Sequence, residues 1–224
     1  MVGRVVVMLP AWNEEKTIGM TIDDIPKGID ILVIDNNSSD STRDIAINHG
    51  ATVIFEGKQG KGNAIIRAID YIKGIDCKYV VMLDADYTYP GQYIPNIINL
   101  LANGNDVVIG SRLTGIVEKG AMSRLNIFGN FMLTLMAKIL YGYRISDLCT
   151  GMWGFSRECL TSLNITEHGF GLEANIFVQI AKRKYKLAEI PIYYRKRPTK
   201  AKLKSLEDGF KIGLVLLKQR FTGE

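Results

Sequence analysis

The first half of the chain alternates between short apolar runs and longer segments in which apolar residues recur at helical spacing. This alternation is typical of β-α-β units, so we expect an α/β fold with a mostly parallel, doubly wound sheet and helices on both faces. The apolar runs predict strands at Arg4–Leu9, Ile31–Ile34, Thr52–Phe55, Tyr79–Leu83 and Val107–Gly110. The intervening segments predict helices near Thr17–Ile25, Ser41–His49, Gly62–Gly74 and Ile94–Asn103.

The second half contains two long segments with helical patterns of apolar residues. Ser123–Tyr141 is densely apolar. Its apolar stretch between Arg124 and Lys138 is too short to span a bilayer, and polar residues and a glycine also interrupt it. Leu206–Phe221 places apolar residues at helical spacing with basic residues between them. Each segment is expected to form a helix, and the sequence leaves open whether that helix packs on the core or docks at a membrane interface.

Polar side chains follow three of the predicted strands at the point where each strand ends. The fourth strand runs directly into Asp84-Ala85-Asp86, and the first two lead into polar loops at residues 10–15 and 35–40. Parallel strands end at one edge of a sheet, where open α/β folds bind ligands. Two carboxylates there would hold Mg²⁺ or Mn²⁺ against a diphosphate, because hard cations prefer oxygen ligands. Since Asp is also a common turn former, a simple turn is the alternative.

The polar loops after the first two strands carry groups suited to a nucleoside. Trp12 can face a base, and carboxylates in these loops can accept hydrogen bonds from ribose hydroxyls or a base N–H. Residues 57–64 are rich in glycine and open a predicted helix, but they lack the spacing of a nucleotide phosphate loop. We expect N–H groups of this turn to help bind an anion.

Composition and charge narrow the class of protein. With 224 residues, 47% hydrophobic and 23% charged, the chain has the composition of a single globular domain. Its three cysteines lack C-x-x-C spacing, so neither a disulfide framework nor a zinc site is expected. The net charge of +5 conceals an asymmetry, because residues 182–220 contain thirteen Lys or Arg and three acids. This segment would attract nucleic acid, anionic headgroups or a phosphorylated substrate.

The ordered set of motifs resembles that of family 2 glycosyltransferases. The set consists of Leu9–Glu14, Ile34–Ser38, Gly60–Gly62, Asp84–Asp86 and Gly110–Arg112. Three further segments resemble the polyprenyl-phosphate branch, which includes the dolichyl-phosphate mannose synthases: Asp147–Phe155, Gly169–Glu173 and Arg195–Lys202. The resemblance covers nearly the whole chain. Within this branch the chain resembles archaeal-type enzymes, and the transmembrane helices that some relatives carry are not expected.

The resemblance implies a GT-A fold and inverting transfer, with Mg²⁺ or Mn²⁺, from a UDP- or GDP-linked hexose or N-acetylhexosamine to dolichyl or another polyprenyl phosphate. Residues 1–112 would bind the nucleotide sugar, and residues 113–224 of the same domain would face acceptor and membrane. The implied donor-binding residues are Pro10, Trp12, Glu14, Asp35, Asn36, Lys61, Asp84 and Ala85. The implied metal ligands are Asp84, Asp86 and Thr88; the acceptor-phosphate residues are Arg124, Arg195, Arg197 and Lys202; the catalytic residues are Asp86, Asp147 and Arg112.

Two positions depart from the pattern of the mannose synthases. Thr88 stands where those enzymes commonly place a glutamine metal ligand, so a hydroxyl or a water would substitute. Asp35-Asn36-Asn37 replaces an all-acidic run, which leaves UDP and GDP donors open. The implied location is peripheral, at the cytoplasmic face of a membrane, because nucleotide sugars and the lipid acceptor meet there.

Three alternative functions remain at this point. One is the same fold with a hydroxyl acceptor on a glycan or protein, which would require a deprotonating carboxylate. A sugar-1-phosphate nucleotidyltransferase shares a similar metal site, but residues 10–14 do not fit its glycine-rich loop. A non-catalytic module that binds nucleic acid or anionic membrane would leave Asp84 and Asp86 without a role, so nucleic acid is not an expected partner.

Overall fold

The computed structural model of the protein describes residues 3–169, 171–199 and 205–221. Its seven strands form one sheet: β1 Val5–Ala11, β2 Asp30–Asp35, β3 Thr52–Phe55, β4 Tyr79–Met82, β5 Val107–Val117, β6 Trp153–Ser156 and β7 Leu187–Tyr194. The α-helices are α1 Ile18–Asp23, α2 Thr42–Asn48, α3 Lys61–Lys73, α4 Ile94–Ala102, α5 Arg124–Tyr141, α6 Arg157–Ser162, α7 Leu172–Arg183 and α8 Ser205–Phe221.

The sheet is mostly parallel, as the alternating pattern predicts. Its strand order is β3-β2-β1-β4-β6-β5-β7, and β6 runs antiparallel to both of its neighbours. The five predicted strands are present, and β5 continues beyond its predicted end to Val117. The pattern did not indicate β6, a four-residue antiparallel strand between two strands of the β-α-β pattern, and it did not indicate β7.

The carboxyl ends of β1, β2 and β4 meet at one edge of the sheet. Ala11 at the end of β1 lies opposite Asp35 at the end of β2, and the Asn36 N–H donates to the Ala11 carbonyl at 2.8 Å. On the other side of β1, Met8 lies opposite Met82, two residues before Asp84. The predicted convergence of the three polar loops is therefore confirmed.

Helices cover both faces of the sheet, so its central strands are buried on both sides. Alternate residues of β1 face opposite cores, and all four residues of β4 are buried. One core packs strand residues against α3 and α7, including Ile65 and Phe177. The other packs them against α1 and α4, including Ile18 and Ile97.

The two segments with helical apolar patterns form α5 and α8, which pack against each other. Packing accounts for one side of each helix, including Leu216 of α8, which is fully buried. The opposite sides leave large apolar side chains in solvent, such as Phe128 (62% exposed) and Phe221 (81% exposed). Within the three described ranges, no helix combines the length and apolar character needed to cross a bilayer.

The glycine-rich turn before α3 packs directly on the backbone of the loop before α7. The Gly62 N–H donates to the His168 carbonyl at 3.0 Å. A Cβ on Gly62 would lie 1.9 Å from the Glu167 carbonyl oxygen, and one on Gly60 would lie 2.3 Å from that of His168. Glycine is required at both positions because two backbone segments touch there.

We expect Gly62→Ala to lower the free energy of unfolding by about 2–3 kcal/mol, because backbone must move to admit the Cβ. Gly129→Ala in α5 is the matched control, since no heavy atom lies within 4 Å of its Cβ position. That control should leave stability unchanged or raise it by up to about 1 kcal/mol. Urea denaturation measures both, and equal stability of the two variants would contradict the close packing of Gly62.

Candidate active site

A cleft of about 620 Å³ opens at the ligand edge of the sheet. Its polar part is lined by residues from the ends of β1, β2, β4 and β7, from β5, from the starts of α3 and α7, and from the segment after β7. These residues are Pro10, Ala11, Trp12, Glu14, Asn36, Gln59, Gly60, Lys61, Asp84, Ala85, Asp86, Arg112, Glu173, Tyr194 and Arg197. Its other part is lined by Ala121, Met122, Leu125, Asn126, Gly129, Asn130, Leu133, Cys149, Gly169, Gly209 and Ile212.

Asp86 is held by the turn that follows β4. The Thr88 hydroxyl donates to Asp86 Oδ1 at 2.5 Å, and the Thr88 N–H donates to the same oxygen at 3.2 Å. Arg197 Nη1 lies 3.4 Å from the other oxygen, Asp86 Oδ2. Burial and the nearby charge of Asp84 raise the pKa of Asp86, and the bonds from Thr88 and Arg197 only partly oppose this.

Asp84 pairs with a half-buried ammonium group. Lys61 Nζ donates to Asp84 Oδ1 at 2.6 Å and to Glu173 Oε1 at 2.7 Å. Burial favours the neutral amine, but the two carboxylates outweigh it and hold the pKa of Lys61 above its usual value. Gly151 lies against Asp84 Oδ2, where a Cβ would approach within 2.1 Å.

Arg112 reaches the cleft from β5 and is fixed by Asp147. Its Nε and Nη2 donate to the two Asp147 oxygens at 2.8 and 2.7 Å, and its backbone N–H donates at 2.8 Å. Asn130 of α5 donates to Asp147 Oδ1 at 2.6 Å. Burial would raise the pKa of Asp147, but Arg112 and Asn130 outweigh it and lower that pKa. Asp147, fully buried, holds Arg112 in position.

The side of the cleft that is predicted to bind a nucleoside is formed by the ends of β1 and β2. Trp12 is 40% exposed there, and Glu14 accepts a hydrogen bond from Arg197 Nη2. The Asn36 side chain donates to the Lys58 carbonyl at 2.6 Å and accepts from the Gly60 N–H at 2.7 Å. These bonds fix the glycine-rich turn.

Two N–H groups of that turn, which is expected to help bind an anion, have partners within the protein. The Gly60 N–H is bonded to Asn36 and the Gly62 N–H to the His168 carbonyl, so neither is available to a phosphate. The turn instead delivers Lys61 to the two carboxylates.

Five predicted residues lie outside the lining of the cleft, one of them the fully buried Asp147, and a sixth cannot be placed. Asp35 accepts from the Ser38 N–H at 3.1 Å within its own loop, and Thr88 is 1% exposed beneath Asp86. Arg195 does not reach the cleft, because it pairs with Asp24 at 2.9 Å and stacks over Tyr87. Arg124 begins α5 at the rim and is exposed. Lys202 lies outside the described residues.

The comparisons with known proteins agree with this arrangement. Residues 6–163 match the family model described as glycosyl transferase family 2. The chain belongs to this glycosyltransferase family.

Two relatives from Haloferax volcanii extend over almost the whole glycosyltransferase chain. A protein named dolichyl-phosphate hexose transferase is 38% identical over 218 residues, which is 95% of this chain and 92% of the relative. Glycosyltransferase AglJ is 35% identical over 222 residues, covering 97% of this chain and 72% of the relative. At these identities the relatives support an enzymatic glycosyl transfer by this chain.

A solved structure identifies the fold of this glycosyltransferase. Glucosyl-3-phosphoglycerate synthase from Mycobacterium tuberculosis superposes with a TM-score of 0.79 at 24% identity, over 97% of this chain and 80% of that one. That crystal structure is a complex with Mn²⁺, UDP-glucose and phosphoglyceric acid. The predicted GT-A fold is confirmed.

The charge of the glycosyltransferase cleft fits a divalent cation. Among the described residues, the lining carboxylates together with Asp147 make five acids, against three cations. The net charge of minus two matches one Mg²⁺ or Mn²⁺. In the part of the chain that is described, no three His, Cys, Asp or Glu side chains form a metal-binding group. Asp84 and Asp86 would therefore need further oxygen ligands from a substrate.

Three functional residues had no assignment from sequence. Glu173 lies in the first turn of α7 and pairs with Lys61 across a separation of 112 residues. Asn130 belongs to an apolar segment, in which a lone buried asparagine signals a polar partner. Gly151 leaves room for the Asp84 carboxylate, because it has no Cβ. The Gly169–Glu173 motif was a signal for the first of these residues.

We expect Asp147→Asn to lower the free energy of unfolding by about 3–5 kcal/mol at pH 7, because Arg112 is left buried without its counter-charge. The contribution of Asp147 is present above its unfolded pKa of about 3.9 and is lost as the pH falls through the lower folded pKa. The stability gap between wild type and variant should therefore narrow below about pH 4.

Urea denaturation between pH 7 and pH 3 tests this prediction. Asp70→Asn is the control, since Asp70 forms an exposed ion pair with Lys73 and its loss should change stability by less than about 1 kcal/mol. A gap of constant size over the whole pH range would show that the charge of Asp147 contributes nothing.

Proposed function

We propose that the protein transfers a hexose or N-acetylhexosamine, with inversion, from a UDP- or GDP-linked donor to dolichyl or another polyprenyl phosphate. The observation that carries this proposal is the mixed lining of the cleft, which is polar at the sheet edge and mainly apolar where α5 and α8 contribute. The polar part includes a half-exposed tryptophan, four carboxylates and two arginines. The other part is a channel between α5 and α8, lined by Leu125, Gly129, Leu133, Gly209 and Ile212.

The donor would lie over the ends of β1, β2 and β4. Pro10 and Trp12, which line the cleft, would face the base, and Glu14, Asn36 and Ala85 would border the sugar nucleotide. Asp84 and Asp86 would hold Mg²⁺ or Mn²⁺ against the diphosphate. The bound metal would neutralise charge on the diphosphate leaving group. The UDP-glucose and Mn²⁺ in the related synthase support this assignment.

The acceptor phosphate would approach from the opposite side, toward Arg112 and Arg197. A phosphate monoester has a second pKa of about 6 and is mainly a dianion at neutral pH, so its oxygen can attack the anomeric carbon without a general base. A bond forms between that oxygen and the sugar while the bond to the diphosphate breaks. The arginines reduce the repulsion between two polyanions, and Arg124 at the rim adds to this.

The ion pairs of the cleft favour this acceptor over a sugar or protein hydroxyl. A hydroxyl requires a carboxylate that accepts its proton. Both oxygens of Asp147 accept from Arg112 behind the cleft, Asp84 and Glu173 bind Lys61, and Asp86 is held by Thr88. The printed name of the 38% identical relative, dolichyl-phosphate hexose transferase, also supports a lipid phosphate.

The exposed sides of α5 and α8 form an apolar face beside the channel. Basic residues of the same helices border it, among them Lys138, Lys211 and Arg220. Such a face fits peripheral contact with the anionic cytoplasmic leaflet, where acyl chains meet the apolar side chains and headgroups meet the basic ones. The α5–α8 face consists of Ile127, Phe128, Phe131, Met132, Leu135, Ile139, Phe210, Leu214, Leu217 and Phe221.

We expect labelled sugar from one donor of a UDP- and GDP-sugar panel to enter organic-extractable product when purified protein receives Mg²⁺ or Mn²⁺ and a short dolichyl phosphate. Asp86→Ala should reduce this transfer at least about a hundredfold, because the metal loses a ligand. Asp70→Asn, on the exposed surface, should leave it unchanged. Transfer to glycan or protein hydroxyls, with no lipid product, would overturn the proposed acceptor.

We expect Phe128→Ser combined with Phe131→Ser to lower binding to vesicles of anionic phospholipid about tenfold, because two exposed aromatic side chains no longer enter the interface. Phe55→Ser is the matched control, since Phe55 is 51% exposed on β3, away from α5 and α8. Flotation of the full chain with vesicles measures both. Equal loss in the control would show that the α5–α8 face does not mediate binding.

A further inference from the structure

The ammonium group of Lys61 lies between two carboxylates, in a position that a metal cation could otherwise take. This group is bonded to one oxygen of Asp84 and one oxygen of Glu173, at 2.6 and 2.7 Å. The three side chains come from three separate elements, the start of α3, the loop after β4 and the first turn of α7. All three line the cleft.

The backbone around Lys61 leaves it little freedom to withdraw. On either side of it, Gly60 and Gly62 pack against the backbone of Glu167 and His168 without room for a Cβ. The N–H groups of both glycines are bonded, one to Asn36 and the other to His168. The start of α3 is thereby fixed to the loop before α7, and the ammonium group is held at the carboxylates.

This contact reduces what the ligand-free cleft can offer a divalent metal. Asp84 Oδ1 is occupied by Lys61, and Asp86 Oδ1 by Thr88. Arg197 lies 3.4 Å from Asp86 Oδ2. Mg²⁺ gives up its bound water reluctantly. It is commonly bound through one or two carboxylates together with substrate phosphates. A nucleoside diphosphate would supply the oxygens that the protein lacks.

We propose that Lys61 is an internal counter-ion that prevents divalent metal from binding without nucleotide, so that the metal enters together with the nucleotide diphosphate. This inference rests on the proposed metal-dependent use of a nucleotide sugar. The ammonium group neutralises Asp84 and Glu173 in the ligand-free protein, and Glu173 acts as the positioning residue that holds it there. Ion pairing with a fixed lysine thus sets the order in which metal and donor bind.

Direct Mn²⁺ binding to the full chain, measured by calorimetry and by electron paramagnetic resonance without nucleotide, tests the inference. Lys61→Met should bind Mn²⁺ about tenfold more tightly than wild type, because Asp84 becomes free to bind metal beside Asp86 and the charge of Glu173 is no longer neutralised. Lys61→Gln should show the same direction, and it serves where the methionine variant does not fold. Lys58→Met is the matched control in the same turn and should bind Mn²⁺ as wild type does.

A second change separates loss of the counter-ion from general loosening of the cleft. In Lys61→Met combined with Glu173→Gln, Asp84 is still released but the charge of Glu173 is gone, so Mn²⁺ affinity should lie between that of wild type and that of Lys61→Met. Wild-type affinity for Mn²⁺ in Lys61→Met and Lys61→Gln alike would overturn the inference. So would equal affinity of Lys61→Met and the double variant, because Glu173 would then contribute nothing.

The same titrations distinguish failure of this inference from failure of the proposed function. Adding UDP or GDP should tighten Mn²⁺ binding to wild type, and the nucleotide effect should be smaller in Lys61→Met. If neither nucleotide alters Mn²⁺ binding to wild type or to Lys61→Met, the proposed donor site is wrong. If nucleotide acts on both proteins equally, the donor site stands and the role of Lys61 is refuted.

Discussion

Several carboxylates share the poorly solvated ligand edge of the sheet, and each must have a nearby positive charge. An unpaired buried charge costs several kcal/mol, so the cations must arrive from whichever part of the chain can reach them. Arg197 comes to Glu14 across 183 residues, and Lys61 joins Asp84 to Glu173. The loops of the cleft are therefore held in place mainly by ion pairs between distant segments. A metal and a diphosphate would enter an existing balance of charges.

Local pattern was sufficient for the elements that build the sheet. The apolar run of β4 and the carboxylates after it indicated both a buried strand and a ligand edge, since strand burial and strand direction follow from nearby residues. The local pattern did not predict which groups the charged side chains pair with. Arg195 and Arg197 are two residues apart in one basic loop, but one pairs with Asp24 and the other reaches the cleft. Only the three-dimensional path of the chain after β7 determines which arginine pairs with Asp24 and which reaches the cleft.

The α5 helix shows how one segment can serve two environments. Its inward side carries Asn130, which completes the bonds of Asp147 and so helps to fix Arg112. Its outward side carries Phe128 and Phe131 in solvent. Helical spacing separates these residues onto different sides although they are neighbours in sequence. The apolar composition of the segment indicated a helix, whereas the single polar residue that matters for the cleft resembled an interruption.

The antiparallel strand β6 has a consequence for the order of folding. It lies between β4 and β5, so these two strands cannot complete the sheet until Trp153–Ser156 has left the ribosome. The segment just before β6 also brings Gly151 to Asp84 and Asp147 to Arg112. A nascent chain of the first 112 residues would expose the apolar edge of β4, which favours association with other chains. Residues 1–112 are thus expected to need the rest of the chain as a folding partner, and separation of the two parts would yield aggregation rather than a smaller folded module.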